Sequence, residues 1–166
     1  GGVPQDRIRL QPFPGTATVQ DVIRVLDHED RACELIDGVL VEKAVGLKES
    51  LLAGFLITVL NLHVRPRNLG IVTGEQGTIQ LMPDLVRIPA VAFTSWDRMP
   101  GRARPSDSVP LLVPDLAVEV ISKSNTPGEM TIKRAEYFSA GVTSENDQLS
   151  CQPRCRSATH SRPARA

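Results

Sequence analysis

Apolar residues recur at helical spacing in three segments of the chain. In VQDVIRVLDHE they follow Thr18, whose side chain can cap the first turn. From Leu47 to His63 they form a broad helical stripe. The segment TPGE opens the third helix: Thr126 can cap it, proline suits its first position and glutamate completes a capping box. This helix is predicted to end at Gly141.

The segments between these helices predict strands. In CELIDGVLVEK two apolar runs flank Asp37-Gly38, a pair typical of a tight hairpin turn. GIVTGE, GTIQLM and LVRIPAVAF are three further predicted strands, and DLAVEVIS is nearly continuously apolar, as in a strand at a sheet centre. The order of elements predicts an α/β or α+β fold in which helices flank a mixed sheet.

The chain divides into three parts. Residues 1–15 are predicted to be an irregular lead-in and residues 16–142 one domain. Residues 143–166 contain one leucine and no aromatic residue, so we expect this tail to be disordered. The abrupt change of character at Thr143 favours a frameshift. The alternative is a native basic tail for nucleic acid, with arginines at four positions: Arg154, Arg156, Arg162 and Arg165.

Composition narrows the classes of protein. The 19 Lys and Arg residues equal the 19 Asp and Glu residues, so any contact with DNA must come from local clusters rather than from net charge. No apolar run approaches the roughly 20 residues that span a bilayer, and the first residues do not resemble a signal peptide. The 3 cysteines are irregularly spaced and predict no disulfide scaffold. We therefore expect a soluble, cytoplasmic protein without a membrane partner.

One charged residue lies in an apolar strand. Glu119 stands between valines in DLAVEVIS, and burying a lone carboxylate is costly without a cation, a hydrogen-bond network or a metal. The alternative is a carboxylate on a solvated sheet face. Lys133 lies beside Met130 and Tyr137 on the next helix, where it either snorkels to solvent or returns over the Glu119 strand. A carboxylate and an ammonium that converge in this way would suit metal-assisted hydrolysis.

Three blocks carry a family resemblance. CELIDGVLVEK, LVRIPAVAFTSWDRMP and PDLAVEVISKSNT with EMTIKRAEYFSAGV resemble, in the same order, successive blocks of the Uma-two family, over residues 16–142. The members of this family are regarded as restriction endonucleases of the PD-(D/E)XK superfamily. The resemblance implies a mixed sheet flanked by helices, a Mg²⁺ or Mn²⁺ cofactor and phosphodiester hydrolysis of DNA. Because nuclease-fold proteins often pair to cut two strands, a homodimer is also an expectation.

The resemblance also implies site residues. Glu119 matches the acidic residue of the (D/E)XK half-motif, and Ile121 stands where a lysine is expected. In this family a lysine of the following helix commonly replaces it, and Lys133 matches that position. Glu34, in the hairpin, matches a frequently acidic position near the site. Glu49, on the long helix, is an accessory candidate, for which a solvated helix face is the favoured interpretation.

The sequence departs from the family at Ala90. Members usually have R-x-P-D-V-A-F, with the aspartate as the principal metal ligand, whereas this chain has RIPAVAF. Asp84 has the same strand parity but lies roughly 20 Å away along a strand, and Asp97 lies beyond the strand on the other parity. Mg²⁺ usually takes one or two carboxylates, so the loss of one predicts an impaired metal site.

The second departure follows Val142. Members usually continue into a strand similar to VWVVDP, where this chain has TSENDQLS and the Arg-rich tail. The fold is therefore expected to be truncated at this end. Three hypotheses remain open: a metal-dependent DNA endonuclease or its damaged copy, a catalytically inactive nucleic-acid-binding or interaction module, and a gene remnant.

Overall fold

The computed structural model describes residues 2–29, 31–43 and 46–150. Within these residues three α-helices form, each where periodicity predicts one. They are α1 (Val19–Glu29), α2 (Leu47–Val64) and α3 (Pro127–Ala140). The strands are β1 (Cys33–Ile36), β2 (Val39–Glu42), β3 (Gly70–Thr73), β4 (Ile79–Met82), β5 (Leu85–Arg87), β6 (Val91–Ser95), β7 (Leu116–Ile121) and β8 (Ser144–Ser150).

In the described part of the chain the strands form two four-stranded sheets. The first has the order β2-β1-β5-β4 with antiparallel neighbours, and the second has the order β3-β6-β7-β8. In the second sheet β7 and β8 pair in parallel and the other neighbours are antiparallel. The predicted fold class, α+β with a mixed sheet and flanking helices, is confirmed.

The β1–β2 hairpin forms as its turn residues predict. Asp37 has φ +48° and Gly38 has φ +74°, the two positive values that a tight two-residue turn of this hand requires. Ile36 therefore pairs with Val39, and the register continues to Cys33 opposite Glu42. This register fixes which side chains of β1 share a face: Cys33 and Leu35 pack in one apolar cluster, and Glu34, which is also buried, lies on the opposite face.

The predicted strand LVRIPAVAF divides into β5 and β6, which belong to different sheets. The prediction of one strand is wrong because it gave too little weight to Pro89, which has no N–H to donate to a ladder. Ile88, Pro89 and Ala90 instead form a buried connection that carries the chain from the first sheet to the second.

Strand β8 differs from the tail that the sequence predicts after Val142. It pairs in parallel with β7, with Leu116 opposite Ser144 and Val120 opposite Leu149. The physical reason is that a ladder is made by backbone groups, so a polar segment can pair along a strand edge that needs N–H and C=O partners. Residues 151–166, the rest of the predicted tail, lie outside the described residues.

Each helix packs on its own part of the sheets. Helix α1 packs Val22 and Val25 on the first sheet, against a cluster that includes Leu35, Leu40 and Val86. Helix α2 packs Ala53 on the second sheet, against Val91 and Val118. Tyr137 of α3 joins a third cluster with residues of both sheets, among them Leu81, Leu85 and Ala117. Helix α3 thus lies over residues of β4, β5 and β7.

The predicted apolar stripe of α2 is only partly covered. One face packs on the second sheet, whereas large apolar side chains of the outward face are exposed: Leu47, Leu51, Phe55, Val59 and Leu62. By length and composition alone, with mean hydropathy 1.4, this helix could cross a membrane. Only 11% of this stretch is buried inside the molecule, and one such helix does not assign a membrane span.

Candidate active site

Glu119 is buried in the middle of β7. Its Oε1 accepts hydrogen bonds from the Tyr137 hydroxyl at 2.8 Å and from Lys133 Nζ at 3.4 Å. Its Oε2 lies 3.9 Å from Lys43 Nζ. Because a buried carboxylate must find cations or donors, these three groups account for its position in an apolar strand. The alternative of a solvated sheet face does not apply.

Helix α3 brings two of these groups to Glu119. The Thr126 hydroxyl accepts a hydrogen bond from the Glu129 N–H at 3.1 Å, and Pro127 occupies the first turn, so the helix begins where the sequence predicts. Lys133 and Tyr137 are one turn apart and share the buried face. Lys133 therefore returns over the β7 strand and does not snorkel to solvent.

Glu34 of β1 is fully buried and joins the same cluster. Its Oε1 accepts hydrogen bonds from Lys133 Nζ at 2.9 Å and from the Ile88 N–H at 3.3 Å. Its Oε2 accepts one from Arg87 Nη1 at 2.8 Å. Arg87 also donates from Nε to Glu136 of α3 at 2.9 Å. Glu34 thereby links the first sheet to the helix above it.

Lys43, directly after β2, completes the cluster from the opposite side. Its ammonium donates to the Ile88 carbonyl and faces Glu119 Oε2. Ile88 lies outside the paired residues of β5 and β6, so its N–H and C=O are satisfied by the side chains of Glu34 and Lys43 instead. The two charged side chains therefore hold the connection that leads to Ala90.

Ala90 lies beside Glu119. In the β6–β7 pair Val91 is opposite Val118, and one further step of the antiparallel register sets Ala90 opposite Glu119. Residues directly opposite each other in such a pair point to the same face, with Cβ atoms roughly 5 Å apart. An aspartate at position 90 would thus share a face with Glu119, whereas the buried methyl group of Ala90 offers no ligand atom.

Burial and charge shift several pKa values in the cluster. Burial alone would raise the pKa of Glu34, but the charges of Lys133, Arg87 and Lys43 outweigh it and hold this pKa well below its ordinary value. Burial would lower the pKa of Lys133, but the carboxylates of Glu119 and Glu34 raise it. Glu34 and Lys133 are therefore both charged at neutral pH.

Two further groups respond mainly to burial. Burial lowers the pKa of Lys43, and the charge of Glu119 offsets part of that effect. Burial and the neighbouring charges of Glu119 and Glu34 raise the pKa of Tyr137 well above its ordinary value, so its hydroxyl remains a donor at neutral pH.

The sequence predicted three members of the cluster and missed the others. Glu34, Glu119 and Lys133 lie together, and Ala90 lies next to them. Glu49 is on α2, and the hydrogen bonds and ion pairs that join Glu34, Glu119 and Lys133 do not include it. Arg87 and Lys43 were not predicted, although both lie inside the blocks that carry the resemblance. Charged residues inside those apolar blocks were the signal that could have found them.

The donor set does not fit a divalent cation. Every carboxylate oxygen of Glu34 and Glu119 already faces a hydrogen-bond donor or an ammonium. Among the described residues, no group of three or more His, Cys, Asp or Glu side chains could hold a metal ion. Mg²⁺ needs several oxygen ligands at close range, and Ala90 supplies none.

Two comparisons with known proteins find a match, one to a family and one to a fold. A family model described as "Uma2: Putative restriction endonuclease" matches residues 19–144. The fold is similar to a crystal structure described as "a putative nuclease belonging to DUF820" from Anabaena variabilis, at 20% identity and a TM-score of 0.61, with 74% of this chain and 68% of that chain covered. At this identity the likeness shows the fold alone. A search of the curated proteins finds no match.

Proposed function

This chain belongs to the Uma2 family, and from that premise we propose that it is a DNA-directed nuclease-fold protein with impaired metal-dependent hydrolysis. Family and fold both indicate a restriction-endonuclease-like nuclease. DNA as the ligand and the cytoplasm as its location belong to the proposal. So does the assignment of Glu119, Lys133 and Glu34 as the remnant of a PD-(D/E)XK site.

The observation that carries the proposal is the neighbourhood of Glu119. Position 90 lies beside it in the β6–β7 register and holds alanine, which has no oxygen to offer a metal. The oxygens of Glu119 itself are directed at Tyr137, Lys133 and Lys43. A water molecule there would lack the cation that lowers its pKa and positions it for attack on a phosphate. Hydrolysis should therefore be slow or absent.

The test compares three proteins on supercoiled plasmid DNA with Mg²⁺ or Mn²⁺. The unchanged protein should nick the plasmid no faster than Glu119→Gln, which removes one charge and keeps the side-chain shape. Ala90→Asp should raise the rate above both. Rapid cleavage by the unchanged protein that Glu119→Gln abolishes and Ala90→Asp does not increase would contradict the proposed impairment.

The second candidate is a catalytically inactive module that binds nucleic acid or another protein. The observation that favours it is the ionic cluster, in which the carboxylates of Glu34, Glu119 and Glu136 are already paired with Lys43, Lys133 and Arg87. Electrophoretic mobility shifts with DNA at two salt concentrations would separate this candidate from the enzyme. Binding without cleavage in every metal condition supports the module.

The third hypothesis, a gene remnant, concerns stability rather than chemistry. Circular dichroism and a thermal melt test it directly. A cooperative transition of a helix-containing domain contradicts the remnant, and the absence of a transition supports it.

We also propose that two copies pair through the outward face of α2. Leu47, Leu51 and Phe55 are exposed there at i, i+4 spacing, which forms one apolar stripe along the helix. A second copy can cover the same stripe by symmetry, since a two-fold interface uses the same patch on both chains. Sedimentation velocity should detect a dimer that Leu51→Asp weakens. A monomer at every concentration would contradict this pairing.

A further inference from the structure

We propose that Lys43 supplies the positive charge beside Glu119 that a divalent cation supplies in a metal-dependent nuclease site. The inference deepens the proposed function and rests on it: position 90 has lost its carboxylate, and the same structure brings an ammonium to the carboxylate that remains. The site is then a closed ionic cluster with an internal cation rather than a metal site that lacks its ion.

Lys43 Nζ lies between the chain that leads to position 90 and the carboxylate of Glu119. It contacts two oxygen atoms, the Ile88 carbonyl and, at 3.9 Å, Glu119 Oε2. Ile88 is two residues before Ala90, and Glu119 is opposite Ala90 in the antiparallel register. The ammonium therefore binds to the backbone just before position 90 and faces the acidic residue across from it. Oxygen atoms around a cation are also the environment of a bound Mg²⁺.

The side chain of Lys43 is largely buried. Only 10% of the Lys43 side chain is exposed, so its charge points into the protein instead of toward solvent. A buried ammonium is costly unless acceptors surround it. Lys43 has its two acceptors at this position, and their oxygens belong to the same site as Lys133. The side chain is thus a member of the cluster and not a surface lysine.

The positive and negative charges of the cluster are equal in number. Three carboxylates, those of Glu34, Glu119 and Glu136, are paired with three cations, Lys43, Lys133 and Arg87. Glu75 adds a weaker attraction on Lys43. A divalent cation added to a cluster already balanced in this way would meet two ammonium groups at close range. An additional carboxylate at position 90 would leave the cluster with one net negative charge, and removal of Lys43 as well would leave it with two.

The experiment measures Mn²⁺ binding by electron paramagnetic resonance of the free ion, with calorimetry as the second readout. The proteins are the unchanged chain, Ala90→Asp, Lys43→Met, and the double variant Lys43→Met/Ala90→Asp. The double variant should bind Mn²⁺ most tightly. The affinity of Ala90→Asp alone should be lower than that of the double variant by a factor of about ten or more, because Lys43 competes for the same carboxylates. The unchanged chain and Lys43→Met should bind weakest.

Lys48→Met combined with Ala90→Asp is the matched control. Lys48 is an exposed lysine of α2, so its removal makes the same change in net charge outside the cluster. Its double variant should bind Mn²⁺ like Ala90→Asp alone. Equal affinity of Ala90→Asp and Lys43→Met/Ala90→Asp would overturn the inference, and so would binding by the unchanged chain as tight as that of the double variant.

Thermal melts keep the test decisive if a Lys43 variant folds poorly. Mn²⁺ should raise the Tm of the double variant by more than that of Ala90→Asp, which keeps Lys43. An equal rise in the two would contradict the inference. The rate of DNA cleavage by the unchanged chain tests the proposed function alone. The role of Lys43 is tested by the ratio of Mn²⁺ affinities with and without this side chain, which is measured without any turnover.

Discussion

Arg87 and Glu34 form an ion pair in which Nη1 lies 2.8 Å from Oε2, with 1% and 0% of the two side chains exposed. The residues lie on neighbouring antiparallel strands of the first sheet, where Leu35 is opposite Val86. Arg87 also reaches Glu136 of α3. The pair therefore joins β1 to β5, and through Glu136 it joins both strands to the helix that carries Lys133.

Removal of one member of this pair should cost much stability. Arg87→Met leaves the fully buried Glu34 with less compensation, and the loss of one partner of a buried ion pair typically costs about 3–5 kcal/mol. Urea denaturation followed by circular dichroism measures the change in the free energy of unfolding.

Arg98→Met is the matched control for that experiment. Arg98 donates from Nε to Asp115 at 2.8 Å, but 27% of each side chain is exposed. A partly exposed pair is screened by water, so the loss should be about 1 kcal/mol or less. Equal losses for Arg87→Met and Arg98→Met would show that the buried cluster does not contribute as argued.

Much of the site follows from order along the chain. The short connection from β7 to α3 implies that Lys133 returns over the strand of Glu119, and the helical period sets Lys133 and Tyr137 on one face. These relationships are local, so the sequence is enough to predict them. The hairpin and the cap of α3 follow for the same reason, from Asp37-Gly38 and Thr126.

The remaining features depend on long-range pairing. Arg87 meets Glu34 only because β5 pairs with β1, and Lys43 meets Glu119 only because the two sheets converge. The local sequence around Arg87 or Lys43 does not indicate which strand will be its neighbour. The break at Pro89 has a local signal, the missing N–H, but its consequence, a change of sheet, is set by the packing of the whole domain.

Acid should unfold the protein in part through Glu34. Its pKa in the folded state is depressed, so its contribution to stability is complete above its ordinary value of 4.5 and is lost as the pH falls below that value. Urea melts between about pH 5 and pH 3 should show a falling free energy of unfolding.

Glu34→Gln lacks the titrating group and should lose less stability over the same interval, from a lower starting value. A residual slope is expected because the pKa values of Asp21 and Asp115 are also lowered, the first by hydrogen bonds from Thr18 and the second by those from Ser95 and Arg98, which outweigh burial. If the two slopes were identical, Glu34 would not be charged and paired as the structure indicates.

The thiol of Cys33 should be inert in the folded protein. It is buried, and burial raises its pKa to about 11, so little thiolate exists at neutral pH. Replacement of Cys151 and Cys155 by serine leaves Cys33 as the one thiol of the chain. Ellman's reagent should then react with it only after denaturant is added, and rapid reaction in buffer would contradict the packing of α1 on β1.

Two glycine-to-alanine variants should change stability in opposite directions. Gly38 has φ +74°, and a Cβ there would lie 2.6 Å from the carbonyl carbon and oxygen of Gly15. Gly38→Ala should therefore destabilise the hairpin by about 1–3 kcal/mol from backbone strain, with the contact adding to it.

Gly54 lies within α2 with nothing near its Cβ position, so Gly54→Ala should stabilise the protein by about 0.5–1 kcal/mol. Thermal melts of the two variants measure both effects. A stabilising Gly38→Ala would mean that the Asp37-Gly38 turn does not set the β1 register, and with it the inward direction of Glu34.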